Sequence, residues 1–91
     1  MKFGYALEAA KQGKKITREK WVSYTTKDIM FAYIVPAAQY PSTTDLERDT
    51  YGDWIPYETY WALFDPDVEM VSTWSPSGRD ILAEDWIILD Y

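Results

Sequence analysis

The clearest structural signal in the sequence is the stretch SPSGRDILAEDWIIL, residues 75–89. Ser77 is a favoured N-cap residue, and Asp80 stands at the N3 position, an Asp-containing relative of the capping box that satisfies free amides where a helix begins. The short helix predicted from this start also includes Ile81, Leu82 and Asp85. Residues 86–89 are apolar without alternation, which predicts a closing strand that is buried on both faces or paired centrally.

The N-terminal segment predicts an amphipathic helix over about residues 3–12. Its apolar residues follow the spacing of one helix face: Phe3, Ala6, Leu7 and Ala10. Gly13 is a natural residue for the position after the helix, and lysines gather at the same end, where cations suit the helix dipole. Residues 15–18 follow as a predicted short strand that leads to Trp21.

The centre of the chain predicts a strand and then a long loop. Residues 29–35 are rich in β-branched and aromatic side chains and end before Pro36, as expected of a strand. Residues 36–53 contain prolines, a glycine and a polar run but show no clear period. We therefore predict a long loop with one short turn of helix after Thr44. Long loops in small domains tend to be functional or mobile.

A β-hairpin is predicted after this loop, with strands at residues 55–64 and 68–74. The turn between them is Asp65-Pro66-Asp67, in which Pro pre-sets φ and Asp bonds neighbouring backbone amides. The resulting order α-β-β-β-β-α-β predicts an α+β fold. In this fold, a small antiparallel β-sheet packs with an N-terminal helix and with a short helix before the last strand.

The length of 91 residues predicts a single domain, residues 1–91. A chain this short hides only about 60% of its unfolded surface, and without Cys it has no disulfide to compensate. Its aromatic residues, 5 Trp, 8 Tyr and 3 Phe, are the expected source of additional buried surface. Self-association is a further expectation.

The chain has neither His nor Cys, and this excludes several kinds of site. It cannot form zinc sites of the Cys/His type, nucleophile systems that depend on His, or the usual haem and iron–sulfur ligation. The acidic turn that contains Asp65, Asp67 and Glu69 lacks the pattern of a calcium loop. We therefore predict no metal and no cofactor.

Charge divides the chain into a basic and an acidic part. Residues 1–27 have a net charge of +5 and residues 28–91 a net charge of −11, which gives −6 overall. This balance repels a phosphate backbone, so we expect no binding of DNA or RNA, although a small anionic ligand stays allowed. No stretch approaches the roughly 18 apolar residues of a membrane helix, and no signal-peptide pattern opens the chain. We expect a soluble, intracellular protein without a membrane partner.

Two blocks of the sequence resemble a known family. The first runs from Phe3-Gly4-x-Ala6-Leu7 through Gly13-Lys14-Lys15-Ile16-x-Arg18-x-x-Trp21. The second is Trp74-x-x-Ser77-x-x-Asp80-Ile81-Leu82-Ala83-Glu84-Asp85-Trp86. Together they are similar to the Thoeris anti-defence family of phage proteins, type two. The Leu-Ala-Glu-Asp-Trp run is the more specific part of the resemblance.

The resemblance implies a function and an assembly. Thoeris defence makes a cyclised ADP-ribose messenger that switches on a killing effector in the cytoplasm of the infected bacterial host. Members of the family are sponges that bind this messenger without cleaving it, in a pocket between the protomers of a homotetramer. The resemblance also implies that some relatives bind cyclic oligonucleotide signals. The implied partners are therefore a cyclic ADP-ribose-type nucleotide and other copies of the chain.

Four aromatic residues are candidates for ligand binding. With the resemblance, Trp21 is a candidate for stacking on adenine and Trp74 for another wall of the pocket, and for both the alternative is packing in the core. Tyr24, in the polar run after Trp21, belongs to the same candidate pocket. Tyr40 is one of the loop aromatics, which follow no apolar period and can cover a ligand or bury an interface. Trp86 heads the last strand and is predicted to lie in the core.

The other candidates lie at the predicted start of the last helix. Amides at a helix N-terminus point towards anions, and Arg79 adds a charged fork that matches phosphate, so Ser77 and Arg79 are candidates for holding a pyrophosphate. Asp80 can accept hydrogen bonds from ribose hydroxyls. The alternative is that Ser77 and Asp80 only cap the helix while Arg79 is solvated. Asp85 is unfavourable for the helix dipole, so we expect it to have a partner, either a buried amide or a cation on another chain.

Two other functions are open from the sequence. One is an acidic interaction protein that mimics DNA and inhibits a host defence enzyme, which the net charge of residues 28–91 favours. The other is an enzyme with paired carboxylates such as Glu84 and Asp85. Adjacent helix residues diverge by about 100° and do not face each other. We therefore predict that the chain is not an enzyme.

Overall fold

The structure is a computed structural model that describes residues 1–22 and 29–89. Its helices are α1 (Phe3–Lys11), α2 (Asp45–Tyr51) and α3 (Gly78–Leu82), and a 3₁₀ turn covers Glu19–Trp21. Its strands are β1 (Lys15–Arg18), β2 (Phe31–Val35), β3 (Ala38–Pro41), β4 (Trp54–Tyr57), β5 (Tyr60–Asp65), β6 (Met70–Thr73) and β7 (Trp86–Leu89).

Five strands form the main sheet, in the order β6-β5-β2-β1-β7. Its neighbouring strands are antiparallel, and Ile16 of β1 lies opposite Ala32 of β2 on one side and Ile88 of β7 on the other. A separate antiparallel pair is formed by β3 and β4. The predicted α+β fold is confirmed, with a helix near the N-terminus and a short helix before the last strand.

The core lies between α1 and one face of the main sheet. Ala6 and Ala10 of α1 are almost fully buried against Ile16 and Ala32 of the sheet. Alanine favours the helix and has a small side chain, so the helix can lie close to the strands. The helix predicted for residues 3–12 is confirmed, and it is followed by Gly13 with a φ of +92°, a conformation that glycine adopts readily.

Aromatic rings complete this core around Trp86, which is only 1% exposed. Its ring centroid lies 5.2 Å from that of Phe3, 5.3 Å from that of Trp21 and 6.2 Å from that of Trp74. Trp61 extends the group through its contacts with Phe3 and Trp74. Ring contacts of this kind add about 0.5–1.5 kcal/mol per pair to the effect of buried area. The aromatic residues thus supply core that a short chain otherwise lacks, and the prediction for Trp86 is confirmed.

The segment predicted as a loop, residues 36–53, contains regular structure. The helix α2 begins after Thr44 as predicted, and the Thr44 hydroxyl oxygen accepts a hydrogen bond from the backbone N–H of Glu47 at 3.1 Å. The prediction of a loop at residues 38–41 is wrong, because β3 pairs there with β4. This partner strand lies beyond α2 in the chain, so no local period in the sequence indicates the pairing.

The first strand of the predicted hairpin, residues 55–64, is two strands. β4 pairs with β3, whereas β5 pairs with β2 and β6, and Glu58 and Thr59 separate them. Pro56 lies in β4, which fits a small outlying sheet because proline lacks an amide hydrogen and avoids central strands. The pairing predicted for the second half is confirmed, since β5 and β6 pair with Asp65 opposite Met70. The turn covers residues 66–69, however, and the second strand begins at Met70 rather than at Val68.

The last strand lies at an edge of the main sheet. β7 covers Trp86–Leu89 as predicted, but within the described residues only β1 pairs with it, and Ile87 is 38% exposed. The prediction of central pairing or burial on both faces is therefore wrong. Trp86 and Leu89 are nevertheless both buried. The helix α3 ends at Leu82, so Asp85 lies in the connection to β7 and not in the helix.

Candidate functional site

Three tryptophan rings meet on the face of the main sheet that carries α1. The ring centroids of Trp21 and Trp74 lie 5.8 Å apart in an edge-to-face arrangement, and both rings contact the buried Trp86. We call these three residues the tryptophan cluster. Trp21 ends the 3₁₀ turn after β1, and Trp74 follows β6. Two predicted site residues from distant parts of the chain are therefore neighbours.

Trp21 and Trp74 are both half-buried. The buried part of each ring packs against the core, as the alternative interpretation from the sequence predicts. Part of the surface of each residue stays accessible to solvent. Core packing therefore explains why each side chain is partly buried. A role of either tryptophan in stacking on a ligand stays a prediction.

The start of α3 adjoins the tryptophan cluster. The indole Nε1–H of Trp86 donates a hydrogen bond to the backbone carbonyl of Asp80 at 2.8 Å. The hydroxyl oxygen of Ser77 accepts from the backbone N–H of Asp80 at 3.2 Å, and the Asp80 carboxylate accepts from the backbone N–H of Ser77, also at 3.2 Å. The predicted capping of this helix is confirmed as a reciprocal capping box.

Replacing Ser77 with alanine removes one half of the capping box. We expect Ser77→Ala to lower the free energy of unfolding by about 1 kcal/mol, because the amide of Asp80 loses its acceptor. Urea denaturation followed by circular dichroism measures this change. Ser75→Ala is the matched control and is expected to have no measurable effect, since Ser75 is exposed and precedes the helix. Equal effects of the two substitutions would contradict this interpretation of the cap.

A buried arginine, which the sequence did not single out, ties α3 to β1. Arg18 is 8% exposed. Its Nη1 lies 3.0 Å from Oδ1 of Asp80, and its Nε lies 2.8 Å from Oδ1 of Asp85. The backbone N–H of Lys20 also donates to Asp85, at 3.4 Å. The predicted partner of Asp85 is thus a cation together with an amide, and the cation belongs to the same chain rather than to another one.

These contacts shift the pKa values of all three groups. Burial acts to raise the pKa of Asp80, but hydrogen bonds from Ser77 and the Arg18 guanidinium outweigh it and hold that pKa below its ordinary value. Burial also acts to raise the pKa of Asp85, but Arg18 and the amide of Lys20 outweigh it and lower that pKa. Burial acts to lower the pKa of Arg18, and its two carboxylate partners raise it. The network is therefore ionised around neutral pH.

The stability of the fold is expected to depend on pH through these carboxylates. Because the pKa values of Asp80 and Asp85 are lowered in the folded state, the unfolded state takes up their protons first as the pH falls. Their contribution is fully present above the ordinary Asp pKa and is lost as the pH falls through the folded-state values. We expect the thermal midpoint to drop between about pH 5 and pH 2. The drop should be smaller in Asp85→Asn, and an equal drop in that variant would contradict the assignment.

The remaining predicted residues at the start of α3 have different surroundings. Arg79 is exposed and forms no ion pair with any residue that the structure describes. The Asp80 carboxylate already accepts hydrogen bonds from Arg18 through Oδ1 and from Ser77 through Oδ2. The capping alternative accounts for these contacts of Asp80. Its role towards a ribose, and that of Ser77 and Arg79 towards a pyrophosphate, stay predictions.

Tyr40 lies in a separate groove on the small β3–β4 sheet. Its ring centroid is 5.1 Å from that of Tyr57, and the two rings meet edge to face. The groove has a volume of about 440 Å³, and we call it the tyrosine groove; its lining residues are Tyr40, Pro41, Thr43, Glu47, Tyr57 and Tyr60. It shares no lining residue with the tryptophan cluster. The structure thus does not bring Tyr40 together with the other described candidates.

Tyr24 lies outside the described residues. Within the ranges 1–22 and 29–89, no group of three or more carboxylates is placed to hold a metal ion. In the same ranges, no helix has the length and apolar character needed to cross a membrane.

Comparison with known protein families identifies one that covers almost the whole chain. The model of a family described as the Thoeris anti-defense 2-like domain matches residues 1–89, almost the whole chain. None of the curated proteins compared with the chain matches it. The matched range includes the tryptophan cluster, the capped start of α3 and the tyrosine groove. The chain therefore belongs to the Thoeris anti-defense 2-like family, and this membership indicates a phage protein that acts against Thoeris defence.

Proposed function

We propose that this chain is a sponge that binds a cyclic ADP-ribose-type immune signal and sequesters it without cleaving it. The observation that carries the proposal is the tryptophan cluster with the capped start of α3 beside it, in a chain of the Thoeris anti-defense 2-like family. The protein acts in the cytoplasm of the infected bacterium, where the messenger is made. Cyclic oligonucleotides are a second group of ligands in this proposal.

The tryptophan cluster suits a nucleobase. Trp21 and Trp74 both contact the ring of Trp86 and are half-buried, so little side-chain freedom is lost when a base stacks on either residue. Stacking on an aromatic side chain contributes about 1–3 kcal/mol per base. Aromatic platforms are also tolerant of base identity, which fits a protein that binds more than one cyclic nucleotide.

The start of α3 suits the polar part of the same ligand. Arg79 is exposed and presents a guanidinium that is free to pair with a phosphate. Asp80 is held by Arg18 on one side and by Ser77 on the other, so it offers a fixed acceptor for a ribose hydroxyl. Tyr24 follows Trp21 closely in the chain and is a further wall of the pocket in this proposal.

The residues near the site favour binding over catalysis. The chain has no His or Cys, and the carboxylates of Asp80 and Asp85 are both held ionised by Arg18. A general acid needs a pKa close to the working pH, and the pKa values of these two carboxylates are shifted in the opposite direction. Slow release of an intact ligand is therefore the proposed mode of action.

Sequestration is proposed to involve a homotetramer with the pocket between protomers. Several large apolar side chains of the described residues are exposed, as expected if a further surface is covered in an assembly: Tyr5, Leu46, Val68, Met70, Val71, Ile81 and Leu82. A pocket between subunits also encloses a ligand more completely than the open surface of one chain. This assembly would bring residues of two copies to one nucleotide.

Native mass measurement with and without the nucleotide tests this proposal. The expected result is a mass of four chains and a mass increase by whole numbers of cyclic ADP-ribose-type ligands. A strict monomer that still binds the nucleotide would refute the pocket between subunits. The absence of any mass increase with excess nucleotide would refute binding itself.

Replacing Trp21 with leucine tests the stacking platform. We expect Trp21→Leu to weaken nucleotide binding about tenfold or more, because one stacking contact is lost. Isothermal titration calorimetry on the folded variant measures the affinity, and a melting curve confirms that the variant is folded. The matched control is Trp54→Leu, since Trp54 is 56% exposed and lies outside the tryptophan cluster. Equal affinities of Trp21→Leu and the unmodified chain would remove Trp21 from the site.

A further inference from the structure

The tyrosine groove is accessible and lies apart from the proposed nucleotide site. Its volume of about 440 Å³ falls within the range of about 300–1,000 Å³ that is typical of ligand clefts. Three of its six lining residues are tyrosines: Tyr40, Tyr57 and Tyr60. These residues are 38%, 45% and 38% exposed, so each is anchored in the protein while part of its surface faces the groove or solvent.

A carboxylate lies among these rings. Glu47 of α2 lines the groove and is half-buried. Its Oε1 accepts a hydrogen bond from the hydroxyl of Thr43 at 3.2 Å, and its Oε2 lies 3.4 Å from the backbone nitrogen of Thr43, which donates to it. The side chain of Glu47 is thereby held in place. The groove therefore combines electron-rich ring faces with a fixed negative charge.

The charges around the groove have the same sign. Residues 38–60 contain five acidic residues and one basic residue, Arg48. Nη2 of Arg48 lies 3.1 Å from Oδ1 of Asp45, so an acidic neighbour already occupies it. No Lys or Arg is among the lining residues. A phosphate-bearing ligand would be repelled here, whereas a cation would be attracted.

From this combination we infer that the tyrosine groove binds an arginine side chain of a basic peptide segment on a protein partner. A guanidinium stacks on a tyrosine face through cation–π and planar contacts, and its fork matches a carboxylate such as that of Glu47. The groove is open rather than enclosed, so a side chain can enter while its peptide stays outside. The surrounding acids would then attract the other basic residues of the segment.

Fluorescence anisotropy with a labelled tetra-arginine peptide tests this inference on the full chain. We expect saturable binding of one peptide per chain, weakened about tenfold by Glu47→Gln because a charge-assisted contact is lost. Tyr57→Leu is expected to weaken binding by about 2–5-fold, through loss of one ring face. Tetra-lysine should bind more weakly than tetra-arginine, because a compact ammonium stacks less well than a planar guanidinium.

Matched controls separate the groove from general charge effects. Asp67→Asn removes the same charge as Glu47→Gln but lies in the turn between β5 and β6, and Tyr5→Leu removes an exposed ring on α1. Both should bind the peptide within twofold of the unmodified chain. Equal losses with Asp67→Asn and Glu47→Gln, or equal affinities for tetra-arginine, tetra-lysine and spermidine, would overturn the inference, as would no binding at all. Nucleotide affinity should be unchanged in Glu47→Gln, so the two sites are tested separately.

Discussion

Replacing Trp86 with alanine is expected to lower the free energy of unfolding by about 3–5 kcal/mol. Trp86 is 1% exposed and contacts the rings of Phe3, Trp21 and Trp74. The substitution leaves a cavity among these rings and removes the hydrogen bond to the Asp80 carbonyl. A small domain has only about 5–15 kcal/mol of stability in total, so the loss is a large part of it.

Urea denaturation followed by circular dichroism measures this loss. Trp54→Ala is the matched control, because Trp54 is 56% exposed and its removal is expected to cost less than about 1 kcal/mol. Trp86→Phe keeps a ring in the core but removes the indole donor, and it should fall between the other two variants. A Trp86→Ala variant as stable as Trp54→Ala would show that the tryptophan cluster is not the centre of the core.

Replacing Arg18 with methionine is expected to cost about 3 kcal/mol, because the carboxylates of Asp80 and Asp85 then lose their cation in a partly buried position. Arg18 lies 2.8 Å from Asp85 and 3.0 Å from Asp80, and it joins β1 to the region that includes α3. Methionine is shorter than arginine but preserves the apolar stem. For a domain of this size, this cost corresponds to a thermal midpoint lower by roughly 12 °C or more.

A triple variant distinguishes unpaired charge from lost packing. Adding Asp80→Asn and Asp85→Asn to Arg18→Met removes the two charges that were left without a partner. Much of the lost stability should return, because the desolvated carboxylates are gone. Thermal melting at neutral pH measures both variants. If the triple variant were less stable than Arg18→Met alone, the packing of Arg18 and not its charge would be the source of the effect.

Local signals in the sequence predicted the elements that depend on local interactions. The helix α1 is specified by apolar spacing and by Gly13 after its end, and α3 by a cap in which Ser77 and Asp80 are only three residues apart. The turn of helix after Thr44 has the same kind of origin, a hydroxyl that accepts from an amide of the first turn. Such interactions form within a few residues, so the sequence displays them directly.

Interactions between distant residues explain the predictions that are wrong. β3 pairs with β4 beyond an intervening helix, and the division of residues 55–64 into two strands depends on which partner each half finds. The edge position of β7 likewise depends on the order of the strands in the sheet. An apolar run indicates that its residues are buried, but it does not show whether a sheet or a helix covers them.

The same distinction applies to the candidate site. The prediction of a partner for Asp85 rests on a helical position that Asp85 does not have, since α3 ends at Leu82. The identity of the partner depends on the pairing of β1 with β7, which places Arg18 opposite Trp86. One signal in the sequence does indicate the position of Arg18. Alternate residues of a strand share a face, so Arg18 of β1 lies on the same face as the buried Ile16. The sequence places Tyr57 and Tyr60 in a predicted hairpin strand, and no local pattern predicts that they form a groove with Tyr40.

Recovery of the ligand tests the central claim most directly. The purified protein is mixed with the cyclic ADP-ribose-type messenger, unbound nucleotide is removed by filtration, and the protein is denatured by heat. The released material is then analysed by chromatography and mass spectrometry. Sequestration without cleavage predicts recovery of the intact messenger in a fixed ratio to protein. Recovery of no nucleotide, or of a hydrolysed product, would contradict it.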